Sequence, residues 1–452
     1  GMTLDQAGFD AHMAAQKQHA RNAAAVEATD WVILSDGEQT FCGYDNTEAE
    51  TRILRYRRVK QKNQEFFQII LAETPFYAEM GGQVGDRGTL TDLTTGESVE
   101  IYDTKRENGV GVHLTKKMPS DPEAVFRASI DKESRMATSR NHTATHLLHE
   151  ALREVLGTHV EQKGSFVTPE SLRFDFSHFQ KLTPEEIRKV EHMANARIRA
   201  AIARDERRNV PIAEAQAMGA MALFGEKYGD EVRVIRYGDS VELCGGTHVD
   251  NTGNIGMVRI VSESSIAAGI RRIEAVTGEM VERVLDEMQD TMRQIASMFN
   301  NAPDVAQAIR RSIEENVELR HQAEEYMRER IASIAREIVD SAKSNHSGVK
   351  VAVLRGVRMP DIVKGIAFAV RAISPEATAF IAATVDPSGK PLLTVMLTDD
   401  VVASGLNASA IVREAAKNIK GGGGGQPGFA QAGGKDSDGI PKAFDSMLNS
   451  LA

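Results

Sequence analysis

Cysteine is scarce in this chain of 452 residues, in which only Cys42 and Cys244 carry a thiol. Two cysteines cannot form the disulfide framework that holds small secreted domains together, and such scarcity is typical of proteins from a reducing compartment. The first residues also lack the charged and then apolar pattern of a secretory signal. We therefore expect a cytoplasmic protein.

Long apolar runs and an excess of positive charge are missing as well. No stretch approaches the roughly 18 consecutive apolar residues of a transmembrane helix, so no membrane partner is expected. The 64 acidic residues outnumber the 54 basic ones, which gives a net charge of -10. Because an acidic chain has no general attraction for nucleic acid, DNA is not expected as a partner. Any RNA must be held by local basic patches.

Two pairs of metal-binding residue types are the most informative motifs. His142 and His146 stand four positions apart before strong helix formers, so both side chains would lie on one face of a helix. Cys244 and His248 have the same separation, but two glycines between them favour a turn. Three imidazoles and a thiolate suit tetrahedral zinc, and we expect one Zn²⁺ per chain. The alternative is a chance coincidence of four residues. A zinc protease is excluded, because Thr143 stands where that class has its glutamate.

The order of helical and strand patterns predicts an α+β multidomain protein. Short strands separated by turn residues indicate a small antiparallel β-barrel, and apolar residues spaced alternately by four and three after residue 280 indicate a coiled-coil seam. The expected segments are a connecting helix (1–28), the small antiparallel β-barrel (29–126), an α+β zinc-binding domain (127–277), an antiparallel helical hairpin (278–346) and a C-terminal α/β domain (347–452). Thr183 and Pro184 predict a helix start, and we expect that helix to reach Arg208.

Two glycine-rich segments are candidates for ligand contact, because backbone without side chains can approach a ligand closely. The first, Gly81, Gly82 and Gln83, lies inside the expected barrel, where a plain hairpin turn is the alternative. The second begins with Gly421, Gly422 and Gly423 and ends before Lys435. A fixed loop of this kind beside lysines suits a phosphate or an RNA backbone, whereas a flexible linker is the alternative.

Together these motifs resemble the alanyl-tRNA synthetases. The segments Asn141–Leu148 and Cys244–Val249, the Gly-Gly-Gln segment and the glycine-rich tail are similar to the C-terminal half of the bacterial enzymes, and the resemblance covers nearly the whole chain. The sequence departs from the family at Met80, where a small residue is usual.

The resemblance implies that residues 29–277 form an editing module that hydrolyses Ser-tRNA(Ala) and Gly-tRNA(Ala). It implies that the C-terminal domain, which also occurs attached to DHH-type phosphoesterases, binds tRNA(Ala) and forms a homodimer. The parent enzyme attaches alanine to tRNA(Ala) with ATP, and we expect the domains for that reaction to be absent from this chain.

The resemblance also implies roles for individual residues. It assigns zinc to His142, His146, Cys244 and His248, and it makes Thr145 and Gln162 the catalytic pocket residues. A hydroxyl and an amide there would hydrogen-bond a substrate serine hydroxyl, and sites of this kind reject analogues that lack the group. Asp175 and Arg271 are expected to support the pocket and to contact RNA.

The role of the zinc and the kind of protein both stay open at this point. With four protein ligands, the zinc is either catalytic after displacement of a ligand or only shapes the pocket, since catalytic zinc usually keeps one position open. The chain is either part of a synthetase or a free-standing trans-editing deacylase. A third reading is a non-catalytic module for tRNA binding and dimerisation, with purely structural zinc.

Overall fold

A computed structural model describes residues 26–61, 64–221, 229–355, 360–386 and 388–452. The chain divides into two compact units, Gly1–Met292 and Arg293–Ala452. The expected connecting helix lies outside the described residues, except for its last three positions, which form a strand, Val26–Ala28. Within the described ranges, no helix combines the length and the apolar character needed to cross a membrane.

Strands make up the first part of the first unit. They are β1 (Val26–Ala28), β2 (Val32–Ile33), β3 (Thr40–Phe41), β4 (Glu48–Thr51), β5 (Ile53–Gln61), β6 (Gln64–Leu71), β7 (Glu73–Thr74), β8 (Gly88–Asp92), β9 (Ser98–Ile101), β10 (Asp103–Glu107), β11 (Val110–Thr115) and β12 (Phe126–Ile130). One sheet is six-stranded and antiparallel, in the order β1-β5-β6-β11-β10 with β2 also paired to β5. A second is four-stranded and antiparallel, in the order β4-β12-β8-β9, and β3 pairs with β7 in parallel.

The single small barrel expected for this region is therefore divided between two main sheets. The sheets share one core, in which Ile53 and Ile69 of the six-stranded sheet meet Leu90 and Phe126 of the four-stranded sheet. Alternating apolar residues identify a strand, but they do not say which strand becomes its neighbour, because pairing joins residues far apart in sequence.

The second part of the first unit mixes helices and strands. It contains α1 (Lys132–Leu156), β13 (Gln162–Val167), β14 (Leu172–Ser177), α2 (Pro184–Arg199), β15 (Asp205–Pro211), α3 (Ile212–Ala217), β16 (Glu231–Tyr237), β17 (Ser240–Leu243), β18 (Val258–Ala267) and β19 (Ile270–Thr277). The next helix, α4 (Glu279–Met298), begins in the first unit and includes the division at Met292. The strands form an antiparallel sheet β13-β14-β19-β18 and a three-stranded sheet β15-β16-β17. Leu147 and Leu148 of α1 pack with Phe174 and Phe176 of β14 in the largest core of this part.

Two helices of this part, α1 and α2, begin at residues whose side chains cap the first turn. Asp131 accepts a hydrogen bond from the Ser134 amide at 3.0 Å at the start of α1. Thr183 and Glu186 form a reciprocal capping box at the start of α2. The expectation that α2 continues to Arg208 is wrong. It ends at Arg199, Ala201 takes a left-handed backbone conformation with φ 51°, and Arg208 lies on β15.

The second unit is an α/β layer preceded by a long helix. It contains α5 (Val305–Ser341), β20 (Lys343–Ser344), β21 (Lys350–Arg355), α6 (Pro360–Ile373), β22 (Thr378–Val385), β23 (Pro391–Leu397), α7 (Asp399–Ala403), α8 (Ala408–Ala416), β24 (Gly422–Gln426), β25 (Phe429–Gly433) and α9 (Ile440–Asn449). Its sheet runs β20-β21-β22-β23-β25-β24, and β21 and β22 pair in parallel.

The helices expected for the hairpin are present, on either side of a break at residues 299–304. On α5, Ala335 and Ile338 are buried in one core with Val363 and Ile366 of α6, so the boundary expected at residue 346 lies inside the second unit. On α4, three apolar positions of the expected seam are about half exposed, from 46% at Leu285 to 55% at Met292, whereas Val281 is buried. The pairing of α4 with α5 stays a prediction.

The glycine-rich tail, expected as a loop, is a β-hairpin. Gly422 to Gln426 form an edge strand that pairs with Phe429 to Gly433. A Cβ atom on Gly423 would lie 2.2 Å from the carbonyl oxygen of Gln431, and one on Gly425 would lie 2.3 Å from that of Phe429. Because strands usually weaken when they contain glycine, the sequence pattern concealed this hairpin. The glycines let the two backbones approach closely.

The buried histidine of β11 should make the first unit sensitive to acid. Burial lowers the pKa of His113 to about 4, although the Ile69 carbonyl accepts a hydrogen bond from its ring. The unfolded chain takes up a proton near pH 6.5 and the folded chain does not. Stability is therefore fully present above pH 6.5, and about 3 kcal/mol is lost as the pH falls to 4.

His113→Gln should flatten this dependence. The free energy of unfolding is measured by urea titration between pH 4 and 8, followed by the fluorescence of Trp31, the single tryptophan of the chain. The control is His321→Gln, since that side chain is 64% exposed. Equal pH slopes in the wild type and in His113→Gln would contradict the role assigned to the buried ring.

Candidate metal centre

The four residues of the two sequence motifs come together in the first unit. α1 carries His142 and His146, and the turn that follows β17 carries Cys244 and His248. One nitrogen or sulfur atom from each residue lies within 4.8 Å of all the others, and all four residues are buried. The Cys244 sulfur is 3.4 Å from Nε2 of His142 and 3.2 Å from Nε2 of His248. Ligands of a tetrahedral zinc are separated by about 3.5 Å, so the cluster has the right size.

Two of the histidines are oriented through the ring nitrogen that faces away from the cluster. Nδ1 of His142 lies 2.7 Å from the side-chain oxygen of Gln83, and Nδ1 of His248 lies 3.1 Å from the Thr143 hydroxyl. Partners of this kind set which nitrogen is available to a metal and fix the plane of the ring. Gln83 thus connects the Gly-Gly-Gln segment to the centre. Thr143 takes a supporting role at the position where a zinc protease has its glutamate.

The third histidine is held from the other side by Glu242 on β17. One oxygen of Glu242 lies 3.2 Å from Nε2 of His146, and the other lies 3.0 Å from Nδ1 of His149. Nδ1 of His146 is then buried without a hydrogen-bond partner among the described residues. A buried nitrogen of this kind costs free energy unless something occupies it, and a metal ion would do so.

The protonation states suit metal binding. Burial lowers the pKa of His142 to about 3, and it also lowers the pKa of His146 and that of His248. The rings are therefore neutral near pH 7, which is the form that binds metals. Burial by itself would raise the pKa of Glu242, but His146 and the hydrogen bond with His149 lower it to about 2. Glu242 is consequently a carboxylate that accepts from both rings.

Two glycines make room for the turn between the ligands. A Cβ atom on Gly246 would lie 2.1 Å from the ring of His142, and one on Gly245 would lie 2.7 Å from the terminal methyl of Met80. Both distances are well below van der Waals contact, so a side chain at either position would displace its neighbour. The glycines that suggested a turn in the sequence are also required by close packing.

Side chains from distant segments hold the carbonyl groups of this turn. Arg233 donates to the carbonyl oxygens of Cys244 at 2.9 Å and Gly246 at 2.7 Å. Tyr44 donates to the Gly245 carbonyl at 2.5 Å, and the Arg233 guanidinium lies 4.0 Å from the centre of its ring. The sequence analysis missed these residues and Glu242. No spacing in the sequence relates Tyr44 to a turn about 200 positions later.

The expected pocket residues lie in the same unit. The Gln162 amide donates to the Ser165 hydroxyl at 3.3 Å, and this hydroxyl donates to the Gly81 carbonyl at 3.4 Å. Gly81 and Gly82 both have a positive φ, which explains glycine at these positions. The Thr145 hydroxyl donates to the Asn141 carbonyl of its own helix at 2.9 Å.

The residues expected to contact RNA are engaged within the protein to different degrees. Asp175 is buried and lies 2.7 Å from Arg272, and Arg271 is paired with Glu263. In the second unit, Lys435 is exposed beside the glycine hairpin. Asp175 therefore has a supporting contact, whereas Arg271 would have to leave its partner to reach a phosphate.

Glu242→Gln should weaken metal binding without removing a ligand. The amide keeps the shape of the side chain but loses the charge that orients His146, and changes of this kind cost about 10–100-fold in metal affinity. Zinc affinity is measured by competition with a chromophoric chelator at pH 7.5. Glu100→Gln, on the exposed face of β9, is the control. Unchanged affinity in Glu242→Gln would refute the orienting role.

Comparison with known protein families gives three matches along the chain. Residues 1–133 match the family of tRNA synthetases class II (A), residues 232–274 match the Threonyl and Alanyl tRNA synthetase second additional domain, and residues 346–452 match the DHHA1 domain. The second match contains Cys244 and His248 of the metal centre. The third contains the glycine hairpin.

Individual relatives agree with these families. The chain is 57% identical over 448 residues to an alanine–tRNA ligase of Bacteroides fragilis (strain YCH46) and 41% identical over 458 residues to that of Flavobacterium psychrophilum. Each match takes in 99% of this chain and 51% of the relative, so the chain spans about half the length of these proteins. A solved structure, the C-Ala domain from Aquifex aeolicus alanyl-tRNA synthetase, is 26% identical and covers 23% of this chain and 91% of its own, with a TM-score of 0.20. Since the similarity to the ligases extends over nearly all of its residues, the chain belongs to the alanyl-tRNA synthetase family.

Proposed function

We propose that this chain hydrolyses the ester bond between a wrongly attached serine or glycine and the 3′ end of tRNA(Ala). The observation that carries the proposal is the buried cluster of His142, His146, Cys244 and His248 in a chain of this family. Three imidazoles and one thiolate are a donor set typical of zinc, and we infer one Zn²⁺ per chain. The activity belongs to the cytoplasm, where tRNA is charged.

His142, His146, Cys244 and His248 would hold the zinc, which would either polarise a nearby oxygen or fix the shape of the pocket. Residues of the chain would bind and orient the substrate. Gln162 and the Gly81–Gly82 backbone are linked through Ser165, so the amide of Gln162 lies beside a backbone that substrate can approach. We assign to Gln162 and Thr145 the recognition of the substrate hydroxyl, in which polar contacts favour serine over alanine.

A second candidate function is favoured by the closed coordination of the centre. Four protein ligands are typical of structural zinc, since catalytic zinc usually has three and an open position. In that reading, the chain is a module for tRNA binding and dimerisation, and the metal only holds α1 to the turn after β17.

The same residues also fit a free-standing deacylase that acts in trans. In the parent enzyme, editing would accompany the ATP-dependent attachment of alanine.

We assign tRNA binding outside the pocket to the glycine hairpin of the second unit. A surface depression there is lined by Lys390, Lys420 and Lys435 together with the glycine backbone. Lys420 is paired with Asp436 at 2.8 Å, and Asp386 also lines the depression, so the three lysines exceed these two carboxylates by one positive charge. Cations beside exposed backbone suit phosphate groups. The same domain is our candidate for homodimer formation.

Cys244→Ala and Gln162→Leu separate catalysis from metal binding. Cys244→Ala should lower zinc content and slow the deacylation of Ser-tRNA(Ala) at least 100-fold, because one ligand of the centre is removed. Gln162→Leu should keep the zinc and slow deacylation about 10-fold or more, because it removes a pocket amide and no ligand. Zinc is measured by elemental analysis and deacylation by release of labelled serine.

The two candidate functions differ in these assays. Wild-type protein that binds one zinc but releases no serine would overturn the deacylase and support the non-catalytic module. Loss of zinc from Gln162→Leu would show that this residue supports the fold of the centre. Glu100→Gln again serves as a control that leaves both quantities unchanged.

The combined variant Lys390→Ala and Lys435→Ala should bind tRNA(Ala) more weakly. The salt dependence should also become shallower by about one unit of slope for each phosphate group that the protein no longer binds. Affinity is measured by fluorescence anisotropy across a salt series, with exposed Lys364 on α6 changed to alanine as the control. If the salt dependence of tRNA affinity has the same slope in the variant and the wild type, the glycine hairpin does not bind phosphate groups, and only a role in dimerisation remains for it.

A further inference from the structure

Three aromatic side chains form a flat patch on the surface of the first unit, apart from the residues of the metal centre. His159 lies at its middle, and the ring of His178 is inclined to it by 25° and that of Phe179 by 18°. Nε2 of His159 lies 2.9 Å from Nδ1 of His178, and the two ring centres are 5.2 Å apart. These distances are those of two rings joined edge to edge by a hydrogen bond. The three residues together make up the aromatic platform.

The platform is held in contact with solvent. The Phe179 side chain is 83% exposed, which is more than any other large apolar side chain in the described ranges. His159 is exposed as well, and His178 is half-buried. Phenylalanine usually gains free energy by leaving water, so an open ring beside two further rings leaves that gain to a ligand. Flat rings in this arrangement suit a planar ligand that binds by stacking.

Hydrogen bonds fix the backbone that carries His159. The Arg153 guanidinium donates to the carbonyl oxygens of Thr158 at 3.0 Å and Val160 at 2.7 Å, on either side of His159. The Ser177 hydroxyl donates to the His159 carbonyl at 2.7 Å. Because this segment is already ordered in the free protein, a ligand on the platform does not have to supply the free energy for ordering it.

The charge beside the platform favours an anionic ligand. The carboxylates of three adjacent segments already have partners within the protein: Glu161 with Lys163, Glu263 with Arg271, and Glu186 with the Thr183 amide. Lys181, two positions after Phe179, is exposed and forms no ion pair among the described residues. A planar group attached to a phosphate is therefore complementary to this surface. Stacking also suits RNA binding by a chain of net charge -10, because it does not depend on basic residues.

The platform lies at the end of the strand pair that carries Gln162. Gln162 of β13 is paired with Phe176 of β14. His159 precedes Gln162 by three positions, and His178 follows Phe176 by two. Three residues of chain span at most about 11 Å. A base on the platform and a group beside Gln162 can therefore belong to neighbouring nucleotides of one strand.

We propose that the aromatic platform stacks against an unpaired nucleobase in the single-stranded acceptor end of tRNA, one or two nucleotides before the terminal nucleoside. The choice of tRNA rests on the proposed function, whereas the flatness, exposure and charge of the platform do not. Phe179 supplies the open ring face, His159 and His178 extend it, and Lys181 supplies a charge for the phosphate backbone. Every base has a face that can stack, so the platform holds the strand without reading its sequence.

The binding test uses the zinc-loaded full chain and an RNA hairpin that ends in the single-stranded acceptor sequence. The fluorescent base 2-aminopurine replaces one of the two bases before the terminal nucleoside, and stacking on the wild type should quench its fluorescence. Phe179→Ala should lose most of the quenching and weaken RNA binding at least fivefold, as expected for the loss of one base–aromatic stack. Phe179→Trp should keep both. Tyr326→Ala, which removes a ring on α5 that is 72% exposed, is the control.

Deacylation of Ser-tRNA(Ala) distinguishes this proposal from the proposed function. Phe179→Ala should keep its zinc and raise KM about fivefold, with a smaller change in kcat. Quenching that depends on Phe179, without any deacylation by the wild type, would sustain the platform and remove the deacylase. Equal quenching and affinity in the wild type and Phe179→Ala would overturn the platform even if deacylation is intact. Unchanged RNA binding with loss of a dimer in Phe179→Ala, measured by light scattering, would also overturn it and assign the rings to an interface between two copies of the chain.

Discussion

The junction between α1 and the turn after β17 is the constraint on which the first unit depends. Two histidines on one face of a helix must meet a cysteine and a histidine that follow a strand about a hundred positions later. Four buried polar side chains are costly unless each finds partners, so the surroundings are arranged to supply them. Glu242, Gln83 and Thr143 each hold one imidazole of the cluster by a ring nitrogen. These contacts fix the positions of the three imidazole rings independently of a metal ion.

The same junction brings the strand-rich part of the unit to the helical part. Gln83 comes from the segment between β7 and β8, and Tyr44 comes from the segment between β3 and β4. Both reach the turn that carries Cys244, and Arg233 contacts the Tyr44 ring from β16. A cavity lined by Tyr44 and Met80 is a direct result of this arrangement.

The glycine hairpin of the second unit illustrates how a local pattern can conceal a regular structure. Glycine weakens an isolated strand, so its run in the sequence favours a loop. In the folded unit, the space beside Gly421, Gly423 and Gly425 is taken up by the neighbouring backbone, and any side chain there would collide with it. The exposed lysines beside it remain available to solvent, which makes this edge a candidate surface for phosphate groups.

The sequence alone determined the features that depend on nearby residues. The helix with His142 and His146, the cap at Thr183, and the glycine turn after Cys244 all follow from spacings of a few positions. The choice of the four candidate ligands also came from such spacings, combined with the family resemblance. These features are local, because backbone dihedral angles and neighbouring side chains decide them.

Only the tertiary structure decided which distant groups meet. The division of the strands into two sheets, the end of α2 at Arg199 and the packing of α5 against α6 depend on contacts that no local pattern encodes. The same holds for Glu242 and Arg233, which act through atoms brought close by the fold. Pairing of strands and burial of charge are settled by the free energy of the whole unit, so the residues that support a site remain hidden until the chain has folded around it.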